Sequence, residues 1–586
     1  MSAAPELVYD GDCTFCAAWV RYWARRGGTH IAYRPLQVAA ADHPTVAPAD
    51  FVAAIHLFEP DGRHTRGAAA AFRVLALTGA PLWWWLYLRS GLFARASEGA
   101  YRGVARRRGA AFAAMRLLWG DERHPATYAV ASALFLRLVA LVYLAAFASL
   151  GSQVVGLLGA HGILPAGEFL AAARAAFGPG AWLRFPSLFW LGVSDGALLG
   201  ACMAGGLAAV AAACGYRVLP ALAACYLLYL SLFSVGQDFL AFQWDLLLLE
   251  AGFLALFLRI GSPWIPRLFR LLLFRFMFLA GCVKLLSGDP TWQHLAALDF
   301  HYETQPLPTP LAWYMHQLPR WFDHLCVAGT FVVELVLPWL IFAPRRPRML
   351  AAAGIALLEL GILLTGNYNF FNLLTLALLV FLFDDAQFGR APAAATRRGT
   401  LARALLGAGL AVMLALNLLH LARPFGTTAL TRALAAAAEP FEPWRIVNAY
   451  GVFAVMTTTR PEIVVEASQD GRTWRPYRFR YKPGDPTRAP RWNIPHQPRL
   501  DWQMWFAALG DAGHTPWFGN FLVRLLAAEP SVLALLREAP FGARRPRFVR
   551  ARLYDYRFTD RAERARKGAV WRREPLGLYY PPVRLP

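Results

Sequence analysis

The sequence predicts a multi-domain polytopic membrane protein. It reads as an α/β domain over residues 1–120, an all-α transmembrane bundle of about nine helices over 121–420, and a soluble α+β domain over 421–586. Three observations predict it. Hydrophobic residues make up 57% of the 586 and charged residues only 16%, whereas a soluble chain carries roughly 25% charge. Apolar runs of bilayer-spanning length, roughly 20 residues each, recur through the middle. Short alternating segments punctuated by turn residues flank that middle on both sides.

The net charge of +22 is of a size usually met in nucleic-acid-binding proteins. Here the arginines sit beside apolar spans and in the C-terminal part, which is a positive-inside membrane pattern. No nucleic-acid partner is expected. Seven cysteines are too few for a disulfide framework in so long a chain. Cys202, Cys214, Cys225, Cys282 and Cys326 lie in or beside apolar segments and read as packing residues. The first residues, MSAAPELVYDGDC, lack a basic n-region and an apolar h-region, so a cytoplasmic N-terminus is expected.

In the first part, ELVYD reads as a strand, Gly11-Asp12 as a turn and residues 13–26 as a helix. IAYRPLQ is a second strand broken at Pro35, and IHLFEPDGR a third that ends in the Asp61-Gly62 turn. The tail with Trp83-Trp84-Trp85 and Arg106-Arg107-Arg108 reads either as an amphipathic element on the membrane surface or as a helix packed on the domain.

Nine spans are expected near residues 138, 205, 226, 248, 278, 334, 356, 376 and 410, those near 356 and 376 being the shortest. With the N-terminus inside, cytoplasmic loops would hold Arg217, then Arg259, Arg267 and Arg270, then Arg345, Arg346 and Arg348, then Arg390, Arg397 and Arg398. The opposite loops are poorer in Arg and Lys. The asymmetry predicts N-in, C-out. After residue 421, PEIVVEASQDGRTWRPYRFRYKP reads as a β-hairpin turning at Asp470-Gly471. LDWQMWFAALG and FLVRLLAAEPSVLALL read as amphipathic helices and VRARLYDYRF as a strand. This part carries 27 basic against 14 acidic residues, which suits anionic headgroups or an acidic partner.

The string YDGDCTFC sets Cys13 and Cys16 at a strand-to-helix turn. A thiolate there is stabilised by the helix dipole and free N–H groups. A second cysteine one turn along the same face can resolve a mixed disulfide. Cys13 would be the nucleophile and Cys16 the resolver. Asp10 and Asp12 add negative charge, which raises thiol pKa, so a reducing or modestly reactive pair is expected. A zinc half-site or two inert thiols are the alternatives. Zinc would need two further ligands, and His30, His43, His56 and His64 offer no such pairing.

Three other stretches are rich in polar and aromatic residues. Lys284 precedes a loop with His301, Tyr302, Glu303, Gln305, Trp313 and His316. Either the lysine snorkels and the loop is an aromatic belt, or the group has acid–base capacity. Asn367, Asn369 and Asn372 lie among apolar residues and would pin helices or line a cavity. Trp492, His496, Arg499, Asp501 and Trp502 fall within eleven residues and form either a client-binding loop or a structural core.

The DxxCxxC element and the segment HLFEPDGRHTRGAAAAFRVL resemble the DCC family of thioredoxin-like thiol-disulfide oxidoreductases over roughly residues 5–115. Where thioredoxins carry a cis-proline, this chain has Ala53-Ala54. The strings HYETQPLPTPLAWY, TGNYNFFNLLTLALL, NAYGVFAVMTTTRPEIVVE and PHQPRLDWQMWFAALG resemble the lipase maturation factor family. That resemblance implies a membrane protein that helps secreted lipases reach their active fold, acting at the endoplasmic reticulum in eukaryotes. It implies no catalytic residues.

The expected function is therefore a folding factor for exported client proteins, with a fused dithiol domain, set in the lipid bilayer. The alternatives are a membrane thiol-disulfide oxidoreductase without a lipase client, and a carboxylase-like membrane enzyme using Lys284, His301 and Glu303. The last rests on fold-level analogy with vitamin K-dependent carboxylase-like proteins. No cofactor or metal is expected. The thiol electron donor is not legible. The Ala/Arg-rich composition points to a bacterial cytoplasmic membrane.

Overall fold

Four short runs build a sheet near the N-terminus. Its strands are β1 (Glu6–Tyr9), β2 (Ala32–Pro35), β3 (His56–Phe58) and β4 (His64–Arg66), in the order β2-β1-β3-β4. β1 runs parallel to β2 and antiparallel to β3, which pairs antiparallel with β4. The parallel pair requires a crossover, and the helix Thr14–Gly27 supplies it. Leu7 and Leu57 from the sheet and Val20 and Trp23 from this helix form the core. The computed structural model describes residues 4–27, 30–120, 126–389 and 400–585.

The tail of this region folds as three helices, Leu82–Arg89, Gly91–Arg106 and Arg108–Trp119. They pack on the α/β core through polar ties. Glu98 accepts hydrogen bonds from the amides of Ala68 and Ala69 and from the Tyr87 hydroxyl, and the Tyr101 hydroxyl accepts from the amide of Ile55. These contacts fit the packed-helix reading of the tail.

Six helical segments among the described residues are long and apolar enough to cross a membrane: Ala129–Gly151, Asp195–Ala213, Val218–Val235, Arg320–Leu340, Arg345–Thr365 and Leu406–Phe425. Three of the nine expected positions take another form. Gln243–Ala255 has 13 residues and Phe371–Leu382 is likewise short. Trp264–Leu286 has 23 residues but carries four basic ones. Arg390, Arg397 and Arg398 lie outside the described residues.

The six spans expose Leu and Val on one side, as at Leu141, Leu207 and Leu357, and bury the other. Small residues let them approach closely. A β-carbon built on Gly205 would stand 2.3 Å from the Phe147 ring, so only glycine fits there.

The C-terminal sheet has the order β6-β5-β7-β8, all antiparallel. β5 (Pro461–Ser468) and β6 (Arg475–Pro476) form the expected hairpin only at its turn, the aromatic positions 477–481 not continuing the second strand, and β7 (Phe548–Phe558) is the expected strand. β8 (Trp571–Val583) escaped sequence reading, because its prolines speak against a strand. It lies at the sheet edge, where proline is tolerated, and its register against β7 shifts three times. The helix Arg499–Ala508 is buried on nearly every face rather than amphipathic. The second helical stretch divides at Pro530 into Pro516–Leu526 and Pro530–Leu533. The described chain falls into two compact units. One is chiefly residues 1–127, and the other joins most of the membrane helices and the whole C-terminal part.

Candidate functional site

The dithiol stands where the sequence sets it. β1 ends at Tyr9, a turn follows, and the helix begins at Thr14. Cys13 and Cys16 are free thiols, both partly exposed. The Cys16 amide donates to the Cys13 sulfur at 3.3 Å, the helix-N-terminal stabilisation that a thiolate needs. Burial, then the hydrogen bond and charge of Cys13, push the Cys16 thiol up to about 12. Cys16 thus stays protonated at neutral pH.

Arg108 is a residue that sequence reading missed. Its guanidinium interacts with both sulfurs, donates to Asp10 at 3.0 Å, and donates to the Val52 carbonyl at 2.5 Å. The weaker contact to the Ala53 carbonyl, 3.4 Å, ties it to the Ala53-Ala54 segment. Asp10 is therefore not a bare negative charge beside the thiols: it is paired with a cation that also faces them. The arginine cluster was the available signal, but only the fold brings Arg108 back across 98 residues of chain to Asp10. Among the described residues no group of His, Cys, Asp and Glu is arranged to hold a metal ion.

The second assembly is a polar seam between the membrane helices and the C-terminal part. Its centre is Arg499. The guanidinium is buried and pairs with both oxygens of Asp245, at 2.8 and 3.0 Å. Tyr229 donates to the same carboxylate at 2.5 Å, and Arg499 also donates to the Phe239 carbonyl at 2.6 Å. Neighbouring positions repeat the pattern. Ser149 donates to the Gln497 carbonyl and lies 2.9 Å from His496 Nδ1. Asn369 donates to Gln497, and Asn367 to the carbonyls of Pro308 and Arg491. Trp505 donates to the Thr304 carbonyl. Arg460 donates to the carbonyls of Glu303, Gln305 and Pro306 and pairs with Glu462. Glu250 accepts from Asn448 and Tyr450 on one oxygen and from Arg275 on the other.

These contacts place the remaining candidates. Arg499, Asp501 and Trp502 are buried, and Asp501 accepts from the amides of Tyr481 and Lys482. His496 is partly buried, and burial followed by the nearby Arg499 and Arg480 lowers its pKa to about 4. Only Trp492, 48% exposed, presents a free surface. The five residues therefore do not make one client-binding face.

Lys284 is not snorkelling. It is 3% exposed and bonds both oxygens of Glu334, at 2.7 and 2.8 Å. Glu334 lies in a π-helical turn, Val332–Val336. His301 and Gln305 meet through the Tyr368 hydroxyl, at 3.3 and 3.2 Å. Burial and the charge of Lys284 lower His301 to about 4. Glu303 faces the other way and accepts from the Phe558 amide, while Tyr302 packs with Trp313 and Tyr556. Lys284 and Glu303 thus each have another partner, Glu334 and the Phe558 amide, and His301 stands near Lys284. Asn372 donates to Glu359 at 2.6 Å, a pairing between two membrane helices.

A helical membrane scaffold with an attached α/β dithiol module defines the class: an integral membrane protein with several apolar spans and a thiol-disulfide oxidoreductase-type domain. Family models agree. Residues 7–114 match the DCC1-like thiol-disulfide oxidoreductase, 130–390 the lipase maturation factor transmembrane domain, and 446–581 the lipase maturation factor C-terminal domain. Lipase maturation factor 2 of Gallus gallus is 37% identical over 77% of this chain and 81% of its own length. The Homo sapiens protein of that name is 35% identical over 77% and 82%. Lipase maturation factor 1 of Mus musculus is 33% identical over 79% and 88%. The chain belongs to the lipase maturation factor family. No solved structure matches it.

Two outcomes are expected. In the reduced protein at neutral pH, iodoacetamide labels Cys13 and spares Cys16, as read by peptide mass spectrometry, and Arg108→Gln slows Cys13 labelling by up to about tenfold. Equal labelling of both cysteines would contradict this assignment. Arg499→Met strands a buried carboxylate and costs about 3–5 kcal/mol, seen as a lowered unfolding temperature in detergent. Arg499→Met with Asp245→Leu recovers much of that loss, because neither charge is left unpaired.

Proposed function

We propose that this chain is a membrane-bound maturation factor for exported proteins, lipases among them, and that its N-terminal module performs thiol-disulfide exchange in that service. One observation carries the reading: the four strings that resemble lipase maturation factors meet along one seam, centred on Arg499, Asn367 and Arg460. The relatives' printed name supplies the client class.

The redox step follows from the dithiol geometry. The Cys13 thiolate attacks a disulfide sulfur, forming a mixed disulfide and releasing one thiolate. Cys16, after losing its proton, attacks the Cys13 sulfur, giving the Cys13–Cys16 disulfide and the second substrate thiol. Two electrons pass to the substrate, and an external dithiol must restore the module. Asp10 and Arg108 act as positioning residues. This geometry also favours a second reading, a membrane-anchored thiol-disulfide oxidoreductase with no lipase client.

The chain divides in this proposal into a thioredoxin-like domain at 1–120, a membrane domain at 121–420 and a soluble domain at 421–586. Trp492 remains the client-contact candidate. We read the shielded segments Gln243–Ala255, Trp264–Leu286 and Phe371–Leu382 as additional crossings, which makes nine. An odd number puts the two ends on opposite sides, and the arginine-rich loops then set the N-terminus in the cytoplasm and the C-terminal domain outside a bacterial cytoplasmic membrane. Support comes from the first span: the chain enters it at Ala129, and Gln497 bonds its far end at Ser149.

Deleting the gene should lower the activity of an exported hydrolase, severalfold or more, without lowering its synthesis. Complementation with Cys13→Ser separates the readings: restored activity detaches the dithiol from maturation, and unchanged hydrolase activity in the deletion strain removes the client role. Alkaline phosphatase and fluorescent-protein reporters fused after residues 120 and 440 should report opposite sides; the same side at both would refute nine crossings.

A further inference from the structure

A cavity of about 610 Å³ opens in the C-terminal domain between β5, β8 and the loop 476–491. Seven of its lining residues are arginine or lysine, and Asp485 is the one acid among them. That carboxylate is already used, accepting from the amide and hydroxyl of Thr487 at 3.0 and 2.8 Å. The carbonyls of Gly484 and Pro486 are also engaged, by the Tyr556 hydroxyl and by the amides of Val570 and Trp571. Cations thus outnumber acids seven to one on the wall.

The cations fall into two sets. Arg478 pairs with Glu538 and Lys482 with Glu462, Arg480 donates to the carbonyls of Ala534 and Leu535, and Arg573 contacts the Tyr556 hydroxyl. Arg488, Arg491 and Arg537 form no ion pair among the described residues. Arg488 Nη2 is also buried without a hydrogen-bond partner. A buried, unpaired cationic N–H is costly, and like charges around one volume repel. An anion in the cavity offsets the repulsion and offers the Arg488 guanidinium a partner.

Size and position narrow the anion. A volume of about 610 Å³ lies within the range of small-molecule sites, roughly 300–1,000 Å³, so a small group fits and a nucleic-acid duplex does not. Arginine forks suit phosphate oxygens. Pro308 in the wall bridges to Gly366, the residue after the span Arg345–Thr365, and the Arg491 carbonyl accepts from Asn367. The cavity therefore sits at the end of a membrane helix, at headgroup level.

We propose that this cavity binds a phosphate group, that of an anionic phospholipid headgroup at the membrane surface, with Arg488, Arg491 and Arg537 as its free cations.

The test uses the full-length protein in non-ionic detergent and native mass spectrometry. Dioctanoyl phosphatidic acid should bind saturably, with dioctanoyl phosphatidylcholine at least tenfold weaker. Arg488→Gln with Arg491→Gln and Arg537→Gln should weaken phosphatidic acid binding at least tenfold, while Arg544→Gln, an exposed arginine outside the cavity, changes nothing. If the triple variant does not fold, the exposed Arg537→Gln alone should weaken binding severalfold. Glycerol 3-phosphate distinguishes the source. Binding as tight as the lipid's assigns the site to a soluble phosphate ester, and weak binding assigns it to a lipid. Undiminished binding by the folded arginine variants, or equal binding of phosphatidylcholine, overturns the proposal.

Discussion

The ion pair of Arg499 and Asp245 is the contact on which the rest of the larger unit depends. A guanidinium and a carboxylate with no access to water are each expensive to bury. Here each supplies what the other lacks, and Tyr229 and the Phe239 carbonyl fill further positions. The pair joins a helix of the C-terminal part to one that begins at Gln243. Breaking it leaves a charge where no solvent can reach. The C-terminal part is consequently not a domain on a tether: its sheet and the membrane helices share one core, in which Trp502 packs edge-on against Trp244 at 4.8 Å.

The same rule explains which helices look unlike membrane helices. The Gln243–Ala255 and Trp264–Leu286 helices carry Asp245, Glu250, Arg275 and Lys284, and every one of these is paired. Charges inside a membrane protein face the interior and find partners. Hydropathy averages over a helix and cannot see pairing between helices, so the charged Trp264–Leu286 helix reads as less apolar than the lipid-facing spans, while Gln243–Ala255 is set apart by its length. The π-turn at Glu334 serves a related end. One extra residue in a helical turn re-aims a side chain, and here the carboxylate meets Lys284.

Local features were legible in the sequence. The CxxC turn, the helix behind it, the β5–β6 hairpin and the six long spans each announce themselves by spacing or hydrophobic length. The family strings were legible as strings, but not the reason they go together. His301 to Gln305, Asn367 to Asn372 and Trp492 to Trp502 read as three separate candidate sites, whereas they mostly line one seam and spend their polar atoms there. Sequence patterns report which face of an element is apolar; they do not report which two elements meet. Asp245, Glu250, Glu334 and Glu359 were visible as acids inside apolar runs, and searching for buried acids to match Arg and Lys would have raised them. Arg108 had no such cue, since its partner Asp10 lies in the first strand-to-helix turn.

At the dithiol, the two cysteines are set apart by their surroundings rather than by their chemistry. Cys13 receives a backbone amide and faces a guanidinium, whereas burial holds the Cys16 thiol near 12. A strongly oxidising pair gains its potential from a stabilised thiolate in the reduced form. Arg108 provides part of that stabilisation, but it is shared with Asp10 at 3.0 Å, so the cation is not wholly available to sulfur. The cation is thus divided between the carboxylate and the sulfurs, and burial keeps Cys16 protonated. Such a division separates the two cysteines by environment alone, the outer one open to a partner and the inner one held back as a thiol.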